Sequence, residues 1–215
     1  MNQSFNLENF VKIYYDENRK GHYTEGQFSI FAEVKDKSDQ IVELNKEFRN
    51  KIREYRQKHI SKEIYESFKA IKNPQKEHLI EEKHKALEIA LKTVEEKISN
   101  NDFSLELDDT LPPIGGKTIY TIKRSSPEAF FVLKQLQKNI QYSFKVKQAD
   151  RYEILSQVKN LLDNSFPKYV IRTDIKSFFE SIPHGKLKEK IAKNHILSPF
   201  SKKIIYQILR EYARL

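Results

Sequence analysis

Asp174 is the one acidic residue in the run Lys168 to Ile175, where Tyr169, Ile171 and Thr173 alternate with Val170, Arg172 and Asp174. The period of two predicts a strand. A carboxylate near the end of such a strand leaves the packed sheet for a cleft, where a hard cation such as Mg²⁺ takes oxygen ligands alongside substrate phosphates. The competing assignment is an aspartate that caps the following turn. The surroundings are compatible with phosphate chemistry. Residues 117–215 hold 20 basic and 8 acidic side chains, a net of +12, interleaved with aromatics such as Tyr142, Phe144, Tyr152 and Phe166. Cations neutralise phosphates and aromatic rings stack on bases, although a lysine-rich solvated surface has the same composition. Residues 1–116 carry 19 basic and 22 acidic side chains, a net of −3, and are expected to act as a packing or subunit surface rather than a nucleic-acid footprint.

Composition removes several classes of protein. The 215-residue chain has no cysteine, which excludes disulfide scaffolds, Cys-ligated zinc, iron–sulfur clusters and thiol nucleophiles. Its expected home is a reducing compartment such as the cytoplasm. Five glycines leave no Gly-rich phosphate cradle, while 14 Phe and 11 Tyr argue against wholesale disorder. The longest uninterrupted apolar stretch runs only from Ala129 to Leu133, and Glu8, Asp16 and Glu17 fall where a signal peptide would be apolar. A membrane partner is therefore not expected.

The elements that must position these residues are mostly helical. Residues 1–37 show no sustained period and read as mixed, partly ordered structure. From Ser38, apolar residues at Ile41, Leu44, Phe48, Ile52 and Tyr55, then Ile60, Ile64, Phe68 and Ile71, predict one long helix kinked near Ser61. Asn73 and Pro74 restart the chain as a cap and first helical residue, and Ile80, His84, Leu87, Leu91, Val94 and Ile98 continue as the second helix of an antiparallel pair. The same seam could join two copies of the chain. Phe103, Leu105 and Leu107 predict a strand, Pro112 to Gly116 a turn, and Lys117 to Lys123 a second strand, a hairpin with a long loop. Further helices are expected from Pro127, through Ile154 to Leu162, after Pro183, and from Pro199.

The stretch Tyr169-Val170-Ile171-Arg172-Thr173-Asp174-Ile175-Lys176-Ser177-Phe178-Phe179-Glu180-Ser181-Ile182-Pro183-His184 resembles the first palm motif of bacterial reverse transcriptases, those of group II introns, retrons and abortive-infection or other phage-defence systems. Upstream, Tyr120 to Arg124 and Phe144 to Arg151 resemble the fingers segments of the defence-associated branch. The resemblance covers about residues 117–192. It implies an α+β, mostly helical fold: a helical N-terminal extension over 1–100, a fingers-like region over 101–167 and the start of a palm over 168–215.

The resemblance also implies roles. Asp174 would be one of three metal-binding aspartates, with the Ile175 carbonyl as a further Mg²⁺ ligand. Phe179 would lie under the incoming sugar and exclude a 2′-hydroxyl, as a rigid aromatic wall does by overlap, unless Phe178 and Phe179 are both core. Arg151 and Lys147 would grip the triphosphate of a deoxynucleotide, with Lys123, Arg124 and Lys176 on the RNA template or RNA–DNA hybrid. The second carboxylate set of this family, an aromatic-x-Asp-Asp hairpin, does not occur before Leu215. Asp108-Asp109 is the only Asp pair, lies upstream of Asp174 and lacks the preceding aromatic. The chain thus reads as the N-terminal portion of an RNA-directed DNA polymerase, inactive alone; the alternative is a non-catalytic basic helical RNA-binding or interaction module.

Overall fold

The computed structural model describes the chain except residues 1, 101, 115–116, 123–125, 146–149, 164–165, 170, 172–180 and 214–215, and the side chains of 108–114 and 117–120. Residues 2–135 and 136–215 form two compact units.

The first unit begins with α1, Leu7–Arg19. The Asn6 side chain accepts from the Asn9 N–H at 3.2 Å, and Glu8 and Arg19 complement the two ends of the helix dipole. Phe10, Ile13, Tyr14 and Glu17, spaced i, i+3, i+4 and i+7, are all buried. The expectation of partly ordered structure over 1–37 is corrected here. The helical stripe is present, but its fourth member is a carboxylate, which removes it from an apolar pattern. Two single 3₁₀ turns, Thr24–Gly26 and Ser29–Phe31, then seat Phe28 and Phe31 in the core.

Helix α2 spans Ala32–Arg56 and α3 spans Lys62–Ser99. The break falls at 57–61, where Lys58 takes a left-handed φ of 59° and the Ser61 side chain accepts from the Ile64 N–H. Pro74, expected to open a helix, lies inside α3. A proline there removes one backbone bond and crowds the carbonyl four residues back; α3 runs through it because cross-helix contacts hold both sides. Tyr55 stacks on Tyr65 at 5.0 Å, Phe48 meets Phe68 at 5.1 Å, and Lys72 pairs with Glu47 at 2.9 Å and Lys37 with Glu82 at 3.0 Å. Partners recede evenly from the connection, as in an antiparallel hairpin.

The second half of α3 leaves α2 and lies along α1. The rings of Tyr15 and His84 are 6.3 Å apart, and the Leu7 N–H donates to Glu95 Oε2 at 3.1 Å. Here α3 buries Ala86, Leu87, Ala90, Leu91, Val94 and Ile98. The core is closed by the start of α4, Pro127–Phe144, whose first turn is capped by Ser126 Oγ accepting from the Ala129 N–H at 3.1 Å. Phe131, with no exposed surface, contacts Phe10 at 5.4 Å and Phe31 at 6.1 Å, while Phe130 contacts Phe28 at 5.6 Å. Such offset and edge-to-face contacts add to the area buried.

The strands β1, Leu107–Ile114, and β2, Lys117–Ile122, pair antiparallel with Leu107 opposite Ile122 and Ile114 opposite Lys117. The hairpin was expected, but its loop is shorter and its first strand starts later. Pro112 and Pro113 are strand residues, not turn residues. The register shifts on both sides of Leu111, and a two-stranded sheet has only edges, where a missing N–H is tolerated. Asp108-Asp109 therefore sits in β1 rather than in a loop, with Asp108 opposite Thr121.

In the second unit, α5 spans Arg151–Leu162, α6 His184–Lys193 and α7 Pro199–Tyr212. Ser198 caps α7 by accepting from the Ser201 N–H at 3.2 Å, with Pro199 in the first turn. The fully buried Asn139 of α4 donates through Nδ2 to Ser201 Oγ at 3.0 Å, and Ser201 and Ser198 share a hydroxyl bond at 2.8 Å. A buried amide needs such partners. Among the described residues the molecule is mostly helical, with β1 and β2 its only strands. Lys168, Tyr169 and Ile171 are in no strand, with Tyr169 99% and Ile171 84% exposed; residues 170 and 172–180 of the expected palm strand lie outside the described residues.

Candidate nucleic-acid interface

Of the residues singled out from sequence, Arg151 is described. Asp174, Ile175, Lys176, Phe179, Lys147, Lys123 and Arg124 lie outside the described residues. Arg151 is the first residue of α5, after Asp150, whose side chain accepts from the Tyr152 N–H at 2.8 Å. A cation at a helix N-terminus is at the unfavourable end of the dipole. Arg151 therefore does little for α5 itself, and it is exposed. The whole of α5 is exposed, including Tyr152 at 83% and the apolar stripe Ile154, Leu155, Val158, Leu161 and Leu162.

Seven of the twelve described Lys and Arg residues of the second unit lie on α6 and α7. The Tyr206 hydroxyl donates to the Lys188 carbonyl at 3.4 Å, Lys202 Nζ to the Ala192 carbonyl at 3.1 Å, and the rings of His184 and Tyr212 are 5.2 Å apart. These pairs define a second antiparallel helical hairpin. It turns at Asn194, whose side chain accepts from the Ile196 and Leu197 N–H groups. Residues 184–212 carry seven basic and two acidic side chains, a net of +5. Lys186, Lys190, Lys193, Lys203 and Arg210 are exposed while Ile191, Leu197 and Ile204 are buried. The hairpin thus presents cations outward, the requirement for neutralising a polyanion by counterion release.

Among the described residues the most perturbed carboxylate is a structural one. Burial raises the proton affinity of Glu17, but three donors outweigh it: Lys134 Nζ at 2.7 Å, Lys20 Nζ at 2.8 Å and His22 Nδ1 at 3.0 Å, so its pKa falls to about 2. Both carboxylate oxygens are taken. Nearby, the Tyr14 hydroxyl donates to Glu25 Oε2 at 2.8 Å, and burial and that bond push its ionisation far up. Neither group is placed to meet a substrate.

Among the described residues no three His, Asp or Glu side chains gather where they could hold a metal ion. Sequence reasoning did miss one concentration of charge. Residues 45–76, the distal half of the α2–α3 hairpin, carry ten basic and four acidic side chains, a net of +6, inside a half whose total is −3. Averaging over 116 residues hid it; a window of about 30 would have found it. No family model, curated protein or solved structure matches the chain. No helix of the described residues is long and apolar enough to cross a membrane.

Proposed function

We propose that the chain is the N-terminal part of a bacterial RNA-directed DNA polymerase of the kind found in phage-defence systems, and that residues 117–215 contact an RNA template or an RNA–DNA hybrid. The observation that carries this reading is the stretch from Tyr169 to His184, with Asp174 followed five residues later by Phe179. Support for the binding part comes from the net of +12, the outward cations of α6 and α7, and the exposed Arg151. In a completed enzyme Asp174 and the Ile175 carbonyl would hold Mg²⁺, which activates the attacking and leaving oxygens of nucleotidyl transfer. One carboxylate does not hold two ions about 4 Å apart. The chain alone is therefore a binding body, and the remaining carboxylates must come from another segment.

The second reading, a non-catalytic basic helical RNA-binding module, is favoured by the largely helical architecture. One pair of measurements separates the two. RNA affinity of the chain should fall by roughly 0.7–0.9 log units per log unit of salt for each phosphate contacted, and Lys147→Glu with Arg151→Glu should weaken it far more than Lys83→Glu with Lys85→Glu on α3. In an enzyme completed with its downstream palm, Asp174→Asn should abolish deoxynucleotide incorporation. Full synthesis by that variant would leave the module as the better account, and equal losses from the two charge reversals would remove the localised footprint.

A further inference from the structure

The distal half of the α2–α3 hairpin holds a groove of about 630 Å³, the size of many ligand sites. Its floor is apolar, with half-buried Phe48, Ile52 and Tyr65. Its rim is cationic: Arg49, Lys69 and Lys76 line it, and no carboxylate does. Lys69 Nζ stands 4.6 Å from the Tyr65 ring centroid and Lys76 Nζ 5.7 Å from that of Phe48. Lys69 also pairs with Glu66 at 2.9 Å, whereas Arg49 donates only to the Asn45 carbonyl. The amides of Asn45 and Asn73 complete the lining.

We infer that this groove is a binding site for single-stranded nucleic acid, separate from the basic half of the chain and independent of whether that half belongs to a polymerase. The chemistry selects the ligand. Three cations with no lining carboxylate call for a polyanion, and rings beneath them call for a polyanion that carries flat apolar groups. The amides can bond base edges. An amphipathic helix would need apolar anchors repeated along the groove, whereas here three apolar side chains, Phe48, Ile52 and Tyr65, are rimmed by three cations. The net of +6 over residues 45–76 extends the attraction beyond the groove.

The test uses the whole chain, with fluorescence anisotropy of labelled oligouridylate and oligothymidylate as RNA and DNA probes. Tyr65→Leu keeps apolar volume but loses the ring, and should weaken binding about tenfold while leaving affinity for heparin, a polyanion without bases, unchanged. Arg49→Glu with Lys76→Glu should weaken both oligonucleotides about a hundredfold and lower the salt slope by about two phosphate contacts. Lys83→Glu with Lys85→Glu, farther along α3, should have little effect. The same changes repeated in the Lys147→Glu, Arg151→Glu background read the groove alone, so its failure is separable from failure of the C-terminal footprint. Photo-crosslinking of the unaltered chain to oligouridylate carrying 5-iodouridine gives a readout that no folding defect can blur: adducts within residues 45–76 support the site. Adducts confined to residues 117–215, no effect of Tyr65→Leu, or equal losses from the two lysine- and arginine-reversal pairs would overturn it. So would a dimer of the chain that closes the groove.

Discussion

The two halves of α3 belong to one helix of 38 residues and live in different environments. From Ala86 to Ile98 six residues are buried against α1 and the first turns of α4; from Lys62 to Lys85 none is, and Ile64 and Ile71 are 53% and 62% exposed. Both halves carry apolar residues at steps of three and four. An amphipathic stripe therefore identifies a surface that gains by being covered, not one that is covered. Where three elements converge, the stripe becomes core. Where only α2 lies alongside, the contact is a line of rings and ion pairs, and the rest of the surface stays open to a partner. Exposed ion pairs add little to stability, so the distal hairpin should be the softer region.

The sharpest way to break this comparison is to delete apolar volume on each side. Phe131→Ala should cost about 3–5 kcal/mol in urea unfolding, because the ring is fully buried among Phe10 and Phe31, whereas Ile71→Ala should change stability by less than about 0.5 kcal/mol. Similar costs at the two sites would mean that the distal hairpin is covered in solution. Next in size is Glu17→Gln, expected to cost about 2–3 kcal/mol because it strips one buried acceptor from three donors. Glu17 titrates at about 2 in the folded protein against an ordinary 4.5. Its contribution is complete above about pH 4.5 and is lost as pH falls toward 2, with the folded state losing roughly 1–3 kcal/mol over that window after allowance for the exposed Lys20 and His22. The Gln variant should show a flatter stability profile between those pH values. An unchanged profile would remove Glu17 as its source.

A smaller effect sharpens the other side of the comparison. Pro74→Ala restores a missing N–H inside α3 and should stabilise the distal hairpin by about 1–2 kcal/mol. The gain should appear as slower amide exchange over residues 62–80, with residues 86–98 unchanged. Faster exchange in the variant would show that the proline rigidifies the hairpin instead.

The sequence made some of these elements legible and disguised others. The start of α4 was legible because Ser126 and Pro127 mark it, and that of α7 because Pro199 marks it. The stripe of α1 was disguised by Glu17, a charge at a core position. The break between α2 and α3 was expected only as a kink near Ser61, with the new helix placed at Asn73-Pro74, because that pair looks like a helix start while 57–61 contain neither glycine nor proline. The helix expected through Ile154 to Leu162 is present as α5, and Arg151 is its first residue, a start that periodicity did not specify. The +6 of residues 45–76 was hidden by the half-chain average, although only the folded hairpin makes the cations of its two helices one surface.

The sequence by itself determined the mostly helical class, the starts of α4 and α7, the β-hairpin pairing in outline and the basic character of the C-terminal half. These follow from period, capping residues and charge, all of which act over a few residues. Only the tertiary structure decided which stripes are buried, that α3 runs through Pro74, and that Arg49 and Lys76, 27 positions apart, line one groove. Each of those depends on contacts between segments far apart in the chain, whose pairing no local pattern encodes.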